Sequence, residues 1–139
     1  MDNFTKILIE HEGKQRSAYQ DSLGYWSIGI GRCIDKRKAC GLSDDEMMYL
    51  LNNDVVNSRK ELSHYEWFNT LDEVRQDVLV ELHFNIGLDK LLQFHQTLAA
   101  IENKDFKAAA MHLLNSMWAI QVGKVRSQNM ANRLESGHY

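Results

Sequence analysis

Proline is absent from this 139-residue chain, and cysteine occurs only twice. Without proline, no helix has to break at a missing amide donor and no linker is stiffened. Two cysteines cannot build a disulfide framework. No apolar run approaches the roughly 20 residues of a membrane span, which excludes a transmembrane helix. There is no Ser/Gly linker, no low-complexity run and no internal repeat. Positive charge is not in excess either. A net charge of -3 argues against a nucleic-acid partner held by bulk charge, and leaves room only for local basic patches. The opening MDNFTKILIEHEGK puts Asp2 where a signal peptide needs a cation, and its apolar stretch is too short. The expectation is a chain made in the cytoplasm with no recognisable export address.

What is present fits a single globular domain. Apolar residues make up 44% and charged residues 25%. Five of the eight glycines fall in the first 41 residues, so the early segment is expected to be rich in turns and the rest helical. Residues 2–12 read as a helix with Asp2 as cap, Phe4, Ile7, Leu8 and His11 on one face, and Gly13 as stop. From Ser17 to Ile34, aromatic and β-branched residues around Asp21-Ser22-Leu23-Gly24 predict a hairpin. Ser43-Asp44-Asp45-Glu46 is a capping box opening a helix to about Leu62. Thr70-Leu71-Asp72-Glu73 starts another, with Val74, Val78, Leu82 and Ile86 at spacings of four and Gly87 at its end. Asp105 and Ser116 are candidate caps of later helices, and Gly137 is a final stop. The pattern is α+β: one helix, a small sheet, then a helical bundle.

Three polar residues stand out by position. Glu12 closes the first helix, Asp21 sits in the hairpin turn, and Ser27 lies on the returning strand. Eight residues separate the two carboxylates, enough for them to face one another across a gap. Paired carboxylates in different environments are the minimum apparatus for acid/base work on a glycosidic bond. On spacing alone the signal is weak, because most Glu and Asp near turns are solvated caps.

The stretch Glu12-Gly13, then Tyr19-Gln20-Asp21-Ser22-Leu23-Gly24-Tyr25-Trp26-Ser27-Ile28-Gly29-Ile30-Gly31, resembles the N-terminal signature of the phage-type lysozymes, glycoside hydrolase family 24. Asn52-Asn53-Asp54-Val55, Leu71-Asp72-Glu73-Val74-Arg75, Phe84-Asn85-Ile86-Gly87, Asn115-Ser116-Met117-Trp118 and Arg126 fit the same family in the same order. The segment between Gly31 and Ser43 is shortened relative to a studied member. The resemblance implies a lysozyme-like fold: a small N-terminal hairpin lobe, 13–55, and a helical lobe, 1–12 plus 56–139, joined by the long helix that begins near Ser43. It implies Glu12 as general acid, Asp21 as the carboxylate that activates water, and Ser27, in place of the usual threonine, as the hydroxyl that holds that water. Arg126 corresponds to an arginine that reaches toward the glutamate. Phe84, Thr97 and His112 fall near sugar-contacting positions. Arg32 and Asp54 are either an ion pair or two surface charges.

The function so implied is an endolysin muramidase acting on bacterial peptidoglycan, with water as the only cosubstrate, no cofactor and no metal. Its partners would be the glycan and a holin that opens the membrane, with no nucleic acid and no membrane insertion. A monomer that moves from host cytoplasm to the periplasm and wall is the corresponding expectation. A lytic transglycosylase and a non-catalytic glycan-binding module on the same scaffold are the rivals. Cys33 and Cys40 can be free thiols or a pair closed after oxidation, and Lys36–Lys38 can be a solvated loop or a polymer-binding spot. The six histidines show no metal-ligand spacing.

Overall fold

The structure, a computed structural model, describes all residues from Met1 to Tyr139. Helix α1 (Asn3–Glu12) begins at Asp2, whose Oδ1 accepts the Thr5 amide at 2.9 Å and whose Oδ2 accepts the Thr5 hydroxyl at 2.6 Å. It ends where the Gly13 amide returns to the Ile9 carbonyl. Three antiparallel strands follow in the order β1 (Gln15–Gln20), β2 (Trp26–Gly29), β3 (Arg32–Cys33). Tyr19 pairs with Ser27 and Gln20 with Trp26, and an irregularity in β1 lies between Gln15 and Tyr19. Ser27 pairs on its other side with Cys33.

Helix α2 (Asp44–Leu62) opens on the expected capping box. The Ser43 hydroxyl accepts the Glu46 amide at 3.3 Å, and Glu46 Oε2 accepts the Ser43 amide at 2.8 Å. Helices α3 (Glu66–Asn69), α4 (Glu73–Ile86), α5 (Leu88–Leu91), α6 (His95–Glu102), α7 (Phe106–Leu114), α8 (Met117–Val122) and α9 (Lys124–Ser136) complete the chain. Asp105 and Ser116 cap α7 and α8 through side-chain oxygens, and Gly137 ends α9 in the left-handed conformation. In α4 the cap is Asp72 itself, outside the first turn, because its Oδ1 accepts the Arg75 amide.

By contacts the chain groups into two compact units, Met1–Leu50 and Leu51–Tyr139, with the junction inside α2. The lobes implied by the family resemblance are 13–55 and 1–12 plus 56–139. Only Gly13 and Lys14 join α1 to β1, so α1 groups with the sheet. Its apolar residues Phe4, Ile7 and Leu8 are exposed. In the second unit, Leu62, Val78, Leu79, Leu82, Leu91, Ile101, Leu113, Met130 and Leu134 form a close-packed core. Val78, Leu79, Val80 and Leu82 are all buried, so α4 is covered on more than one face, which is why its apolar pattern exceeds a single stripe.

Arg75 ties the start of α4 to the end of α9. It lies on α4 and donates to the Leu134 carbonyl at 2.8 Å and the Glu135 carbonyl at 2.7 Å, the open carbonyls at the end of α9. It also donates to Asp72 at 2.7 Å, and its guanidinium stacks 3.7 Å from the Phe106 ring centre. A side chain at position 137 would meet Arg75 Nη1 at 2.7 Å, so glycine there makes room for the clamp. Replacing Arg75 by alanine leaves two carbonyls and a carboxylate without their charged donor. We expect Arg75→Ala to lower stability by about 2–3 kcal/mol. Urea unfolding should show a lower midpoint with an unchanged slope.

Candidate active site

Glu12, Asp21 and Ser27 all lie in the first unit. Glu12 is the last residue of α1 and is exposed, and its carboxyl makes no hydrogen bond within the protein. The carboxyl rests against Gly31, in the turn between β2 and β3. A Cβ at Gly31 would lie 2.5 Å from Glu12 Oε2 and 2.9 Å from Cδ, and the backbone there has φ +67°. Gly31 is therefore required twice, for its conformation and for the approach of the carboxylate.

Asp21 occupies the turn between β1 and β2. Its Oδ1 accepts the Leu23 and Tyr25 amides, each at 2.9 Å. Its own amide donates to the Tyr25 carbonyl at 2.8 Å, and its carbonyl accepts the Gly24 amide at 3.0 Å. These bonds fix the carboxylate and leave Oδ2 without a protein partner. Ser27, on the central strand, is only 6% exposed.

The sequence reading missed Asp35, a carboxylate 4% exposed just after β3. It accepts the Trp26 amide at 3.1 Å, the Arg37 amide at 3.0 Å, and Arg37 Nε and Nη2 at 2.8 and 2.6 Å. Arg37 Nη2 also donates to the Gly24 carbonyl at 2.9 Å, so the middle of the Lys36–Lys38 run is anchored and is no free cation. Lys38 lies 4.0 Å over the Tyr25 ring centre. The only sequence signal was an aspartate two residues before an arginine in a loop, a pattern with many other meanings.

Arg32 finds its carboxylate within its own unit, where the sequence reading offered Asp54. Its Nη1 donates to Glu46 Oε2 at 2.5 Å and to the Gly41 carbonyl at 3.3 Å. The reason is that Glu46, already turned back by the capping box, presents its carboxylate to β3. Asp54 instead borders a small concavity with Ser58, Glu61 and His83. Cys33 and Cys40 are both free thiols; the Cys40 Sγ donates to the Lys38 carbonyl at 3.4 Å, and the neighbouring Cys33 raises the Cys40 thiol above its ordinary range.

The remaining candidates lie in the second unit, and they separate. Thr97 on α6 and His112 on α7 border one cavity of about 780 Å³ with Gln93, Asn115 and Trp118. The Trp118 indole is held by Asn85, whose Oδ1 accepts Nε1 at 2.9 Å. Phe84 is half exposed and borders the small concavity near Asp54. There, His83 is within hydrogen-bond distance of Ser58 Oγ at 2.9 Å and Glu61 Oε2 at 2.6 Å. Arg126 donates Nε to Glu81 at 3.2 Å, and Glu81 also binds Arg133. No three His, Cys, Asp or Glu side chains converge as a metal site.

A small antiparallel sheet ahead of a helical body, with one acid at the end of α1 and another in the hairpin turn, defines a lysozyme-like α+β protein. The chain belongs to the phage lysozyme family, whose sequence profile matches residues 9–136. Two proteins of Dictyostelium discoideum are similar over most of their length. "Probable T4-type lysozyme 1" is 27% identical over 158 aligned positions, covering 94% of this chain and 92% of that protein. "Probable T4-type lysozyme 2" is 28% identical over 162 positions, with the same 94% and 92% coverage. Both alignments are longer than this chain, so the relatives carry residues that it lacks. Family membership assigns the chain to the glycoside hydrolases in general.

Arg32, with help from the Ser43 amide, holds the Glu46 carboxyl down at about 2. A carboxyl depressed in the folded state stabilises above its unfolded value, here 4.5, and that contribution is lost as pH falls toward 2. Wild type should therefore be more stable than Glu46→Gln at neutral pH, and the gap should close between about pH 4.5 and 2. Thermal unfolding of both proteins across this range checks the trend.

Proposed function

We propose that this protein is an endolysin muramidase of glycoside hydrolase family 24. It would hydrolyse the β-1,4 bond between N-acetylmuramic acid and N-acetylglucosamine in bacterial peptidoglycan and so lyse a phage host. The observation that carries this reading is the state of Asp21: Oδ1 is tied to two backbone amides while Oδ2 is free. A carboxylate that must orient a water and take its proton needs one fixed oxygen and one available oxygen.

In the proposed reaction, Glu12 gives its proton to the leaving glycosidic oxygen as that bond breaks. A water attacks the anomeric carbon from the opposite face, and Asp21 Oδ2 takes the proton that the water releases. The Ser27 hydroxyl, one residue after Trp26 on β2, would hold the same water. The Glu12 carboxyl lies by the β2–β3 turn and Asp21 at the β1–β2 turn, the two ends of strand β2. This supports the wider carboxylate spacing of an inverting enzyme, ~6.5–9.5 Å, over the ~5–5.5 Å of a retaining one. The product would carry a free reducing end of α configuration.

Thr97, His112, Phe84 and Arg126 are assigned to glycan binding, of which Thr97 and His112 share a cavity large enough for a sugar ring. No helix of the chain is long and apolar enough to cross a membrane. On the family resemblance, passage from host cytoplasm to the wall is assigned to a separate holin, and the enzyme is taken to act as a monomer without a cofactor.

Mass spectrometry of purified peptidoglycan digested by the protein tests the reaction type. Hydrolysis adds one water per cleavage; a lytic transglycosylase adds none and leaves 1,6-anhydro ends. Anhydro products would reject the muramidase reading, and no release at all would favour a binding module. Folded Glu12→Gln should lose ~10²–10⁴-fold in rate, and Asp21→Asn most of its activity. A transglycosylase would tolerate Asp21→Asn.

Gly31→Ala tests the seat of Glu12. The positive φ alone costs about 1–2 kcal/mol in stability. The new methyl should also displace the carboxylate and lower turnover at least tenfold. Gly31→Asn relieves much of the strain and keeps the clash, so its stability should recover while its activity does not.

A further inference from the structure

We propose that Asp35 and Arg37 are positioning residues for Asp21, clamping the β1–β2 turn so that one carboxylate oxygen stays bound and the other stays free. This rests on the reading of Asp21 as the base that activates water.

Backbone groups of three consecutive residues carry the argument. The Gly24 carbonyl accepts Arg37 Nη2 at 2.9 Å. The Tyr25 amide donates to Asp21 Oδ1 at 2.9 Å. The Trp26 amide donates to Asp35 Oδ2 at 3.1 Å. The bond that fixes Asp21 is therefore flanked on both sides by bonds to the Asp35–Arg37 pair. Gln20 Nε2 adds a longer contact to the same Gly24 carbonyl at 3.3 Å. Beyond it, the Trp26 carbonyl accepts the Ile34 amide at 2.9 Å, which closes the strap around Asp35. The Tyr25 side chain is covered by Arg37, 4.9 Å from its ring centre, and by Lys38.

Asp35 is the kind of group that persists only with a full set of partners. A buried carboxylate is costly to desolvate, and this one is 4% exposed. Its partners are supplied by one forked guanidinium and two backbone amides. Arg37 holds the Asp35 carboxyl below the usual carboxylate range, so the pair is ionised at neutral pH. The fork matters because Nε and Nη2 take the two Asp35 oxygens in one plane while Nη2 also reaches the Gly24 carbonyl, a fixed geometry that a compact ammonium does not reproduce.

Arg37→Ala, Arg37→Lys and Asp35→Asn are compared with wild type, with Asp21→Asn and with Lys36→Ala, a neighbouring exposed cation outside the clamp. Kinetics use soluble peptidoglycan fragments well below each protein's unfolding temperature, and the Leu23 and Tyr25 amides are followed by nitrogen–proton correlation spectra. Arg37→Ala should lower kcat at least tenfold with KM changed less than twofold, and should move both amide resonances. Arg37→Lys should not rescue kcat, and Lys36→Ala should match wild type. Arg37 is largely exposed, so its variants report even where Asp35→Asn fails to fold. Unmoved amides in Arg37→Ala, or full rescue by lysine, would overturn the clamp. An Asp21→Asn enzyme with wild-type kcat would instead overturn the base assignment beneath it, and the amide resonances keep the two failures apart.

Discussion

The buried carboxylate of Asp35 stands where a larger unit would place an apolar core. Between Met1 and Leu50 the only buried residues are Ser27 and Asp35, both polar. Every buried apolar side chain of the chain comes at Leu62 or later. Order in the first unit therefore rests on polar contacts of short sequence reach: the Asp2 cap, the Asp21 turn, the Asp35–Arg37 pair and the Arg32–Glu46 pair. Net contributions of such bonds are ~1 kcal/mol each, so no single one holds the unit. They act by closing short loops, which costs little chain entropy.

The second unit is built on the opposite principle. Its helices enclose an apolar core, and its polar contacts finish what packing begins. Arg75 satisfies the carbonyls that end α9, and Asn85 satisfies the indole of Trp118, which is otherwise buried. The candidate glycan-binding residues inherit this rigidity. Thr97 is nearly fully buried on α6 and cannot adjust much, whereas Phe84 is half exposed and can. Arg126 shares Glu81 with Arg133, so any other role of Arg126 must compete with that carboxylate.

Local signals in the sequence account for much of this fold. The oxygens that cap α1, α2, α7 and α8 were visible as Asp2, Ser43, Asp105 and Ser116, because a cap acts within three residues of itself. The helix from Glu73 was visible through its apolar spacing, though its cap proved to be Asp72, since two acids in a row leave the boundary ambiguous. The positions of Glu12 at a helix end, Asp21 in a turn and Ser27 on a strand were legible for the same local reason. Partners across the fold were not. Arg32 has many acids to choose from, and only the turn-back of Glu46 selects one. Asp35 looks like any loop aspartate until β2 is folded beside it. The short helices α3 and α5 have no pattern long enough to see.

The contrast between the units bears on how the site can be altered. In a packed core, volume decides the outcome, and a polar residue is felt mainly through the cavity or the unpaired group it leaves. Around Asp21, volume matters little: Ser22 and Leu23 are exposed, and the turn is set by which backbone group meets which oxygen. There a change of one donor should redirect a carboxylate at little cost in stability. The same holds at Glu12, where the limiting dimension is the bare backbone of Gly31. Both candidate catalytic carboxylates thus lie on connections whose geometry is fixed by hydrogen bonds and one glycine. Substitutions that alter turnover most at a given cost in stability should concentrate in the first 41 residues, and those that unfold the chain should concentrate between Leu62 and Leu134.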